Sequence, residues 1–325
     1  MRKIEKILLL LVSTLALNVV NAQQMPMFTN YGNSYSVINP GFFGMSEGVN
    51  ANGIYRNQWT GFKDGITGEV VSPRTFLVSA DLPLKALAGG IGISILKDQV
   101  GFENSVGVNL GYSYHLDLAA GTLGLGLSMS LNNRNVDFSN ANALNQNDPA
   151  IPSGQQSDML FDVNVGLFYL VPETFYVALS GTNLLESKGK ALDGNATSSA
   201  CFTGDRTLFL VAGYEYQFAD PRFMLNPSLC AMTNFASSQF NVTARLWYNN
   251  KLNLGVNYRY QESVDILFGF KFKEIMITYA YDINTMGISV PGSHEVSVSY
   301  CFKLDMDKSP RLKCFCYEYI KIDYF

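Results

Sequence analysis

Two histidines, five cysteines and a few short polar runs are the parts of this 325-residue chain with the residue types for nucleophilic, acid–base or metal chemistry. Ser293-His294-Glu295 places a hydroxyl, an imidazole and a carboxylate side by side, the components of a nucleophilic triad. In an extended strand, however, neighbouring side chains leave on opposite faces, so the three cannot converge by themselves. The cysteines are Cys201, Cys230, Cys301, Cys314 and Cys316, an odd number that leaves at least one thiol unpaired. Cys314-Phe-Cys316 is too tight for comfortable disulfide geometry and lacks the second ligand pair of a zinc site, so the cysteines are uninformative. Asp305 and Asp307 lie in a tail of mixed charge and read as solvated. Gly89-Gly-Ile-Gly92 opens an alternating segment rather than a helix, which removes it as a phosphate loop. Asn195-Ala-Thr197 fits a glycosylation sequon that has no meaning in a bacterial envelope. The residues predict no enzyme, no cofactor and no metal site.

The elements that hold these residues explain more. The chain is 47% hydrophobic and 13% aromatic, with 15% charged residues and a mean hydropathy of +0.07. Soluble domains carry about 25% charged residues. Richness in aromatic and β-branched residues excludes disorder. With 23 Lys+Arg, 27 Asp+Glu, a net charge of −4 and no basic cluster, nucleic acid is not an expected partner. Past residue 22 no run approaches the roughly 20 apolar residues of a membrane-spanning helix. Residues 1–22 read as a signal peptide: Arg2, Lys3 and Lys6 precede an apolar run from Ile7 to Leu17, and Val20-Asn21-Ala22 offers a cleavage site. The mature chain then begins at Gln23, outside the cytoplasm. No cysteine stands at that point to make it a lipoprotein.

The hydrophobic period is two. Val106, Val108, Leu110, Tyr112, Tyr114 and Leu116 alternate with Gly107, Asn109, Gly111, Ser113 and His115. Leu252, Leu254, Val256, Tyr258 and Tyr260 alternate in the same way with Asn253, Gly255, Asn257 and Arg259. Fourteen such segments fall between residues 49 and 304, many 9–11 residues long, the length of a tilted transmembrane strand. Gaps after odd-numbered segments are mostly long (59–72, 133–157, 184–204, 283–293). Those after even-numbered segments are short (83–89, 117–121, 170–173, 218–221, 249–250, 273–274). An even count with long and short connections in turn predicts an all-β fold, a transmembrane antiparallel β-barrel of about 14 strands of the outer-membrane type. Twelve or sixteen strands fit nearly as well, and a soluble secreted β-sandwich is the non-membrane rival.

In the barrel reading the apolar face meets the lipid bilayer of the outer membrane, with tyrosines gathered toward strand ends as interfacial girdles. The inward set of the later strands includes Glu215, Arg245, Arg259, Asp265, Lys271, Asp282, Glu295 and Lys303. Either these charges form a network across the lumen or each is solvated by lumen water; the pattern does not choose. Residues 49–304 are the barrel. Residues 23–48 are a periplasmic N-terminal segment or a lumen plug, and residues 305–325 a periplasmic tail, so that both termini share the periplasmic side. His115 and His294 fall at opposite ends of an apolar band about 25 Å tall and cannot share a metal or a proton. A barrel of about fourteen strands lies between those whose interiors side chains fill and those that leave an aqueous channel, so something occupies the lumen or the barrel conducts.

Several strings together resemble the PorP/SprF family of type IX secretion and gliding-motility membrane proteins of Bacteroidota. They are Gln24-Met-Pro-Met-Phe-Thr-Asn-Tyr31, Ile38-Asn-Pro-Gly-Phe-Phe-Gly44, Tyr55-Arg-Asn-Gln-Trp59 with Gly61-Phe62, Tyr281-Asp-Ile283, and Gly292-Ser-His-Glu-Val-Ser-Val-Ser-Tyr300. Where the family often reads NPAYAG, this chain keeps Asn39, Pro40 and Gly44 but doubles the aromatic. The tail after 305 matches only vaguely. The resemblance implies a non-enzymatic outer-membrane barrel that works with periplasmic type IX secretion components or a secreted surface adhesin. It brings no cofactor and no catalytic residue. Its motif positions, Asn39, Pro40, Gly44, Tyr55, Arg56, Trp59, Ser293, His294 and Glu295, are expected to contact a partner or to serve structure. Arg56 is expected at the lumen and Trp59 as an interfacial anchor, while His294 and Glu295 are expected to set hydrogen bonding at a strand end. The same barrel would serve a diffusion channel or a small-hydrophobe transporter, and a barrel lipase or protease built on His294 is the remaining alternative.

Overall fold

The computed structural model describes residues 25–46, 48–63, 65, 68, 70–138, 154–191, 201–286 and 290–303. Residues 1–22, read as a signal peptide, and the tail after 305 lie outside the described residues.

Seven strands follow one another around half of a closed wall: β1 (Gly48–Asn57), β2 (Arg74–Leu84), β3 (Gly89–Val100), β4 (Glu103–Leu118), β5 (Gly121–Asp137), β6 (Gln155–Val171) and β7 (Phe175–Thr182). A separate hairpin of β8 (Lys188–Ala191) and β9 (Cys201–Thr203) comes next. The other half holds β10 (Thr207–Tyr214), continued by β11 (Tyr216–Gln217), then β12 (Phe223–Thr233), β13 (Ser238–Tyr248) and β14 (Leu252–Arg259). It ends with β15 (Ser263–Phe272), β16 (Ile275–Asn284) and β17 (Ser293–Lys303). β1 pairs with β17, and β10 pairs with both β7 and β12, so fourteen antiparallel strands among the described residues close into a barrel. Closure leaves no open sheet edge, as a strand protein in lipid requires.

Burial along the strands is inverted relative to a soluble sandwich. In β14, Asn253, Asn257 and Arg259 are buried at 1–2% exposure, whereas Leu254 and Val256 are 62% and 57% exposed. The apolar side of the period-two pattern therefore faces outward, on β2 through β7 as on β13 through β17. Such a belt far exceeds the apolar patches that soluble monomers expose. The chain is an outer-membrane β-barrel, and the sandwich reading falls.

Three local expectations need correction. β4, β5 and β6 run over 16, 17 and 17 residues and extend past the alternating segments read at 106–116, 122–132 and 158–169. Beyond the apolar band their sequence turns polar (Asn132, Asn133, Arg134, Asn135), which ends the hydrophobic period while the ladder continues from Val108↔Leu131 to Glu103↔Val136. At the far end long and short connections both occur, as an expectation of mostly long ones allows: β3 and β4 are joined by Gly101 and Phe102 alone. The segment read as one strand over 205–217 breaks at Glu215, whose N–H donates to the Thr174 carbonyl at 2.8 Å. The cysteines also carry structure, for Cys230 is a buried free thiol and Cys301 is disulfide-bonded.

Residues 25–46 lie inside the wall as short 3-10 turns (Tyr31–Ser34, Pro40–Phe42) around one helical turn (Tyr35–Ile38). Tyr31, Tyr35, Ile38, Phe42 and Met45 pack on Phe168, Leu170, Tyr176, Val211 and Met232 of the inner wall. Phe28 and Val37 cluster with Ile54 and Leu77 on the other side. The apolar core of the molecule thus forms between this segment and the strands rather than between two sheets.

Candidate functional site

Inward positions on five consecutive strands bring charge to one level of the lumen. Arg56 of β1 stands opposite Glu295 of β17, and Asp282 of β16 stands opposite Asp265 of β15. Arg56 reaches Asp282 at 2.6 Å and Glu295 at 3.1 Å, with all three side chains at most 4% exposed. Arg259 of β14 donates to Glu262 at 2.9 Å and to the Asn241 side-chain oxygen at 3.1 Å. The inward charges of these strands therefore form a network.

The N-terminal segment enters that network through its backbone. Glu295 accepts the N–H groups of Thr29 and Asn30, each at 2.7 Å. Thr29 Oγ1 donates to Asp282 at 2.9 Å and accepts from Arg56 at 2.7 Å and Arg259 at 3.1 Å. A hydroxyl has one proton and two lone pairs, so Thr29 is fully used. A carboxylate that takes two N–H groups and a guanidinium in a water-poor interior is held by charge-assisted bonds, roughly twice as strong as neutral ones.

A second attachment lies across the lumen. Asn39 is buried; its Oδ1 accepts the Gly41 N–H at 2.8 Å and its Nδ2 donates to the Leu167 carbonyl at 2.9 Å. Pro40 follows as the first residue of the 3-10 turn, where its missing N–H costs nothing. Gly44 has φ +70 and donates its N–H to Asp81 at 3.1 Å. Facing this stretch, the inner wall is glycine: a Cβ at Gly124, Gly126 or Gly166 would come closer than 3.0 Å to Asn39, Pro40 or Gly41. Gly90 faces Gly44, and Gly92 and Gly111 face the Phe43 ring. His115 Nε2 hydrogen-bonds the Phe43 carbonyl at 3.0 Å.

The motif positions divide by face. Asn39, Pro40, Gly44, Arg56, Ser293 and Glu295 are buried, and Tyr55 is 45% exposed on the outer surface. The Trp59 N–H donates to Ser293 Oγ at 3.1 Å, and its ring lies edge-on to Phe62 at the end of β1. His294 turns outward, with Nδ1 2.7 Å from the Tyr279 hydroxyl and its ring 5.0 Å from that of Tyr281. His294 and Glu295 thus leave on opposite faces and form no triad. Among the described residues no group of three or more His, Cys, Asp or Glu is arranged to hold a metal. Thr29, Asn30 and Asp282 join the buried set although they stood outside the motif positions; the signal was present, because Thr29-Asn30 sits inside the Phe28-to-Tyr31 string.

One family model, described as type IX secretion system membrane protein PorP/SprF, matches residues 20–300. No curated protein matches the sequence. Among solved structures, the Ralstonia pickettii toluene transporter TbuX shares 13% identity at a TM-score of 0.48, over 83% of this chain and 94% of that one. The P. putida toluene transporter TodX shares 12% identity at a TM-score of 0.49, again over 83% and 94%. A Pseudomonas aeruginosa FadL homologue shares 11% at 0.44, with the same coverage.

Proposed function

The chain belongs to the PorP/SprF family of type IX secretion system membrane proteins, and on that premise we propose that it is a sealed outer-membrane barrel on which a secretion partner docks. The observation that carries this reading is the attachment of residues 25–46 to the inner wall through Thr29, Glu295 and Arg56. A fourteen-strand barrel without a filling is wide enough to conduct. One whose lumen is occupied by its own chain serves as a platform, and its role is non-enzymatic. The partners are periplasmic components of the secretion machine, a secreted surface adhesin of the gliding type, or both. Residues 1–22 direct export, and the short turns and both termini face the periplasm.

Tyr55, Trp59 and His294 act at the outer surface and rim, where Ser293 ties down Trp59, whereas Asn39, Pro40, Gly44, Arg56 and Glu295 hold the filling in place. Affinity purification in mild detergent is expected to recover a type IX component or a large exported protein, and deleting the gene is expected to stop surface display of that cargo. Normal export in the deletion strain, with nothing copurifying, would sink the reading.

A further inference from the structure

Between residues 31–33 of the N-terminal segment and the short-turn ends of the later strands lies a cavity with about 50 Å³ of free space. One water needs roughly 10–15 Å³ on the same measure. The wall carries Asn52, Asn226, Ser228, Ser299 and Arg245, with the indole of Trp247 beside them. Arg245 is 8% exposed and donates from Nη2 to Asn30 Oδ1 at 2.6 Å. Unlike Arg56 and Arg259, it has no carboxylate within 4.0 Å among the described residues. Ser299 Oγ on the cavity wall and Asn30 Nδ2 next to the guanidinium are both buried without a hydrogen-bond partner.

A guanidinium offers five N–H donors in a planar fork and stays charged in proteins. Buried without a counter-charge it is costly, and a carboxylate relieves it best because two parallel N–H···O bonds match the fork. The single positive charge and the small free volume suit a planar monoanion better than a phosphate dianion. We propose that this cavity binds a small carboxylate, with Arg245 as the charge partner and Ser299 as a supplementary donor. The site adjoins the Thr29–Glu295 attachment at Asn30, whose N–H goes to Glu295 and whose Oδ1 takes Arg245, but it does not depend on the docking role.

Trp247 supplies the readout. The chain has two tryptophans, so Trp59→Phe leaves Trp247 as the one tryptophan emitter when excitation is selective for indole over tyrosine. In that background, acetate added at constant ionic strength against chloride is expected to change Trp247 emission saturably, while acetamide, its neutral isostere, does not. Arg245→Gln is expected to weaken acetate at least about tenfold, the equivalent of roughly 1.4 kcal/mol, and Arg245→Lys to weaken it less. A heat-dependent gel shift verifies that each variant is a folded barrel, and the acetate–acetamide comparison stands on unaltered Arg245 if either variant misfolds. No saturable response, an equal response to acetamide, or unchanged affinity in folded Arg245→Gln would overturn the proposal and leave the cavity to water. Saturation by inorganic phosphate but not acetate would overturn the carboxylate assignment.

Discussion

A threonine hydroxyl with one proton given and both lone pairs filled has no slack, and Thr29 is in that position. Thr29→Val keeps the shape and removes the hydroxyl, leaving Arg56 and Arg259 short of an acceptor and Asp282 short of a donor. Hydrogen bonds to charged groups contribute about 1.5–3 kcal/mol each, and these groups keep other partners, so a loss of about 2–4 kcal/mol is expected. It should appear as a lower unfolding temperature and faster proteolysis within residues 25–46, with Thr29→Ser close to the unaltered protein. Equal protease resistance of Thr29→Val and Thr29→Ser would show that the hydroxyl carries none of the attachment. Glu295→Gln is expected to destabilise by roughly 3–5 kcal/mol, the range for removing one member of a buried ion pair, measured by the temperature of the heat-dependent gel shift. Sequence legibility at this scale was uneven. Arg56 and Glu295 stood out as inward charges in the strings YRNQW and GSHEVSVSY. Thr29 carried no charge to mark it, and its role exists only where three distant strands meet.

At the level of elements, the inner wall has two characters. β14 through β17 each present a charged side chain among polar ones, whereas β3 through β5 present mainly glycine and serine. The glycines were legible as the small face of alternating strands; that they form a bed for Asn39 to Gly44 was not, because the pattern within a strand does not say what lies against it. Gly166→Val would drive a side chain into Asn39 and Pro40 and is expected to expel residues 39–44 while the barrel stays folded. Gly107→Ala is the control, since its added Cβ would meet nothing nearer than 3.7 Å. Protease mapping distinguishes the two, and protection of residues 39–44 in Gly166→Val would contradict the bed. On the outer face, Leu254 is 62% exposed. Leu254→Arg there is expected to cost about 2–4 kcal/mol if the residue sits at the bilayer midplane. Reduced folded yield in lipid vesicles would report it; wild-type folding would place Leu254 outside the apolar band.

For the molecule as a whole, closure between β1 and β17 is what assembles the Arg56–Glu295 pair from residues 239 positions apart in the chain. A filled lumen predicts that the purified protein is silent in a planar bilayer and that a chain lacking residues 25–46 shows stepwise conductance. Conductance of the intact protein at the same level would count against a sealed platform. From its sequence alone the chain determined the strands, the lipid-facing side and the even count, because lipid imposes its preference residue by residue and a strand repeats every two. Family-specific strings added the relatives. Only the tertiary structure decided that Arg56, Asp282, Glu295 and Arg259 join one network instead of standing in water, and that the glycines carry Asn39-Pro40-Gly41. The physical reason is range: the outer face answers to a uniform solvent and is written locally, while the inner face answers to side chains hundreds of residues away, brought close only when the barrel closes.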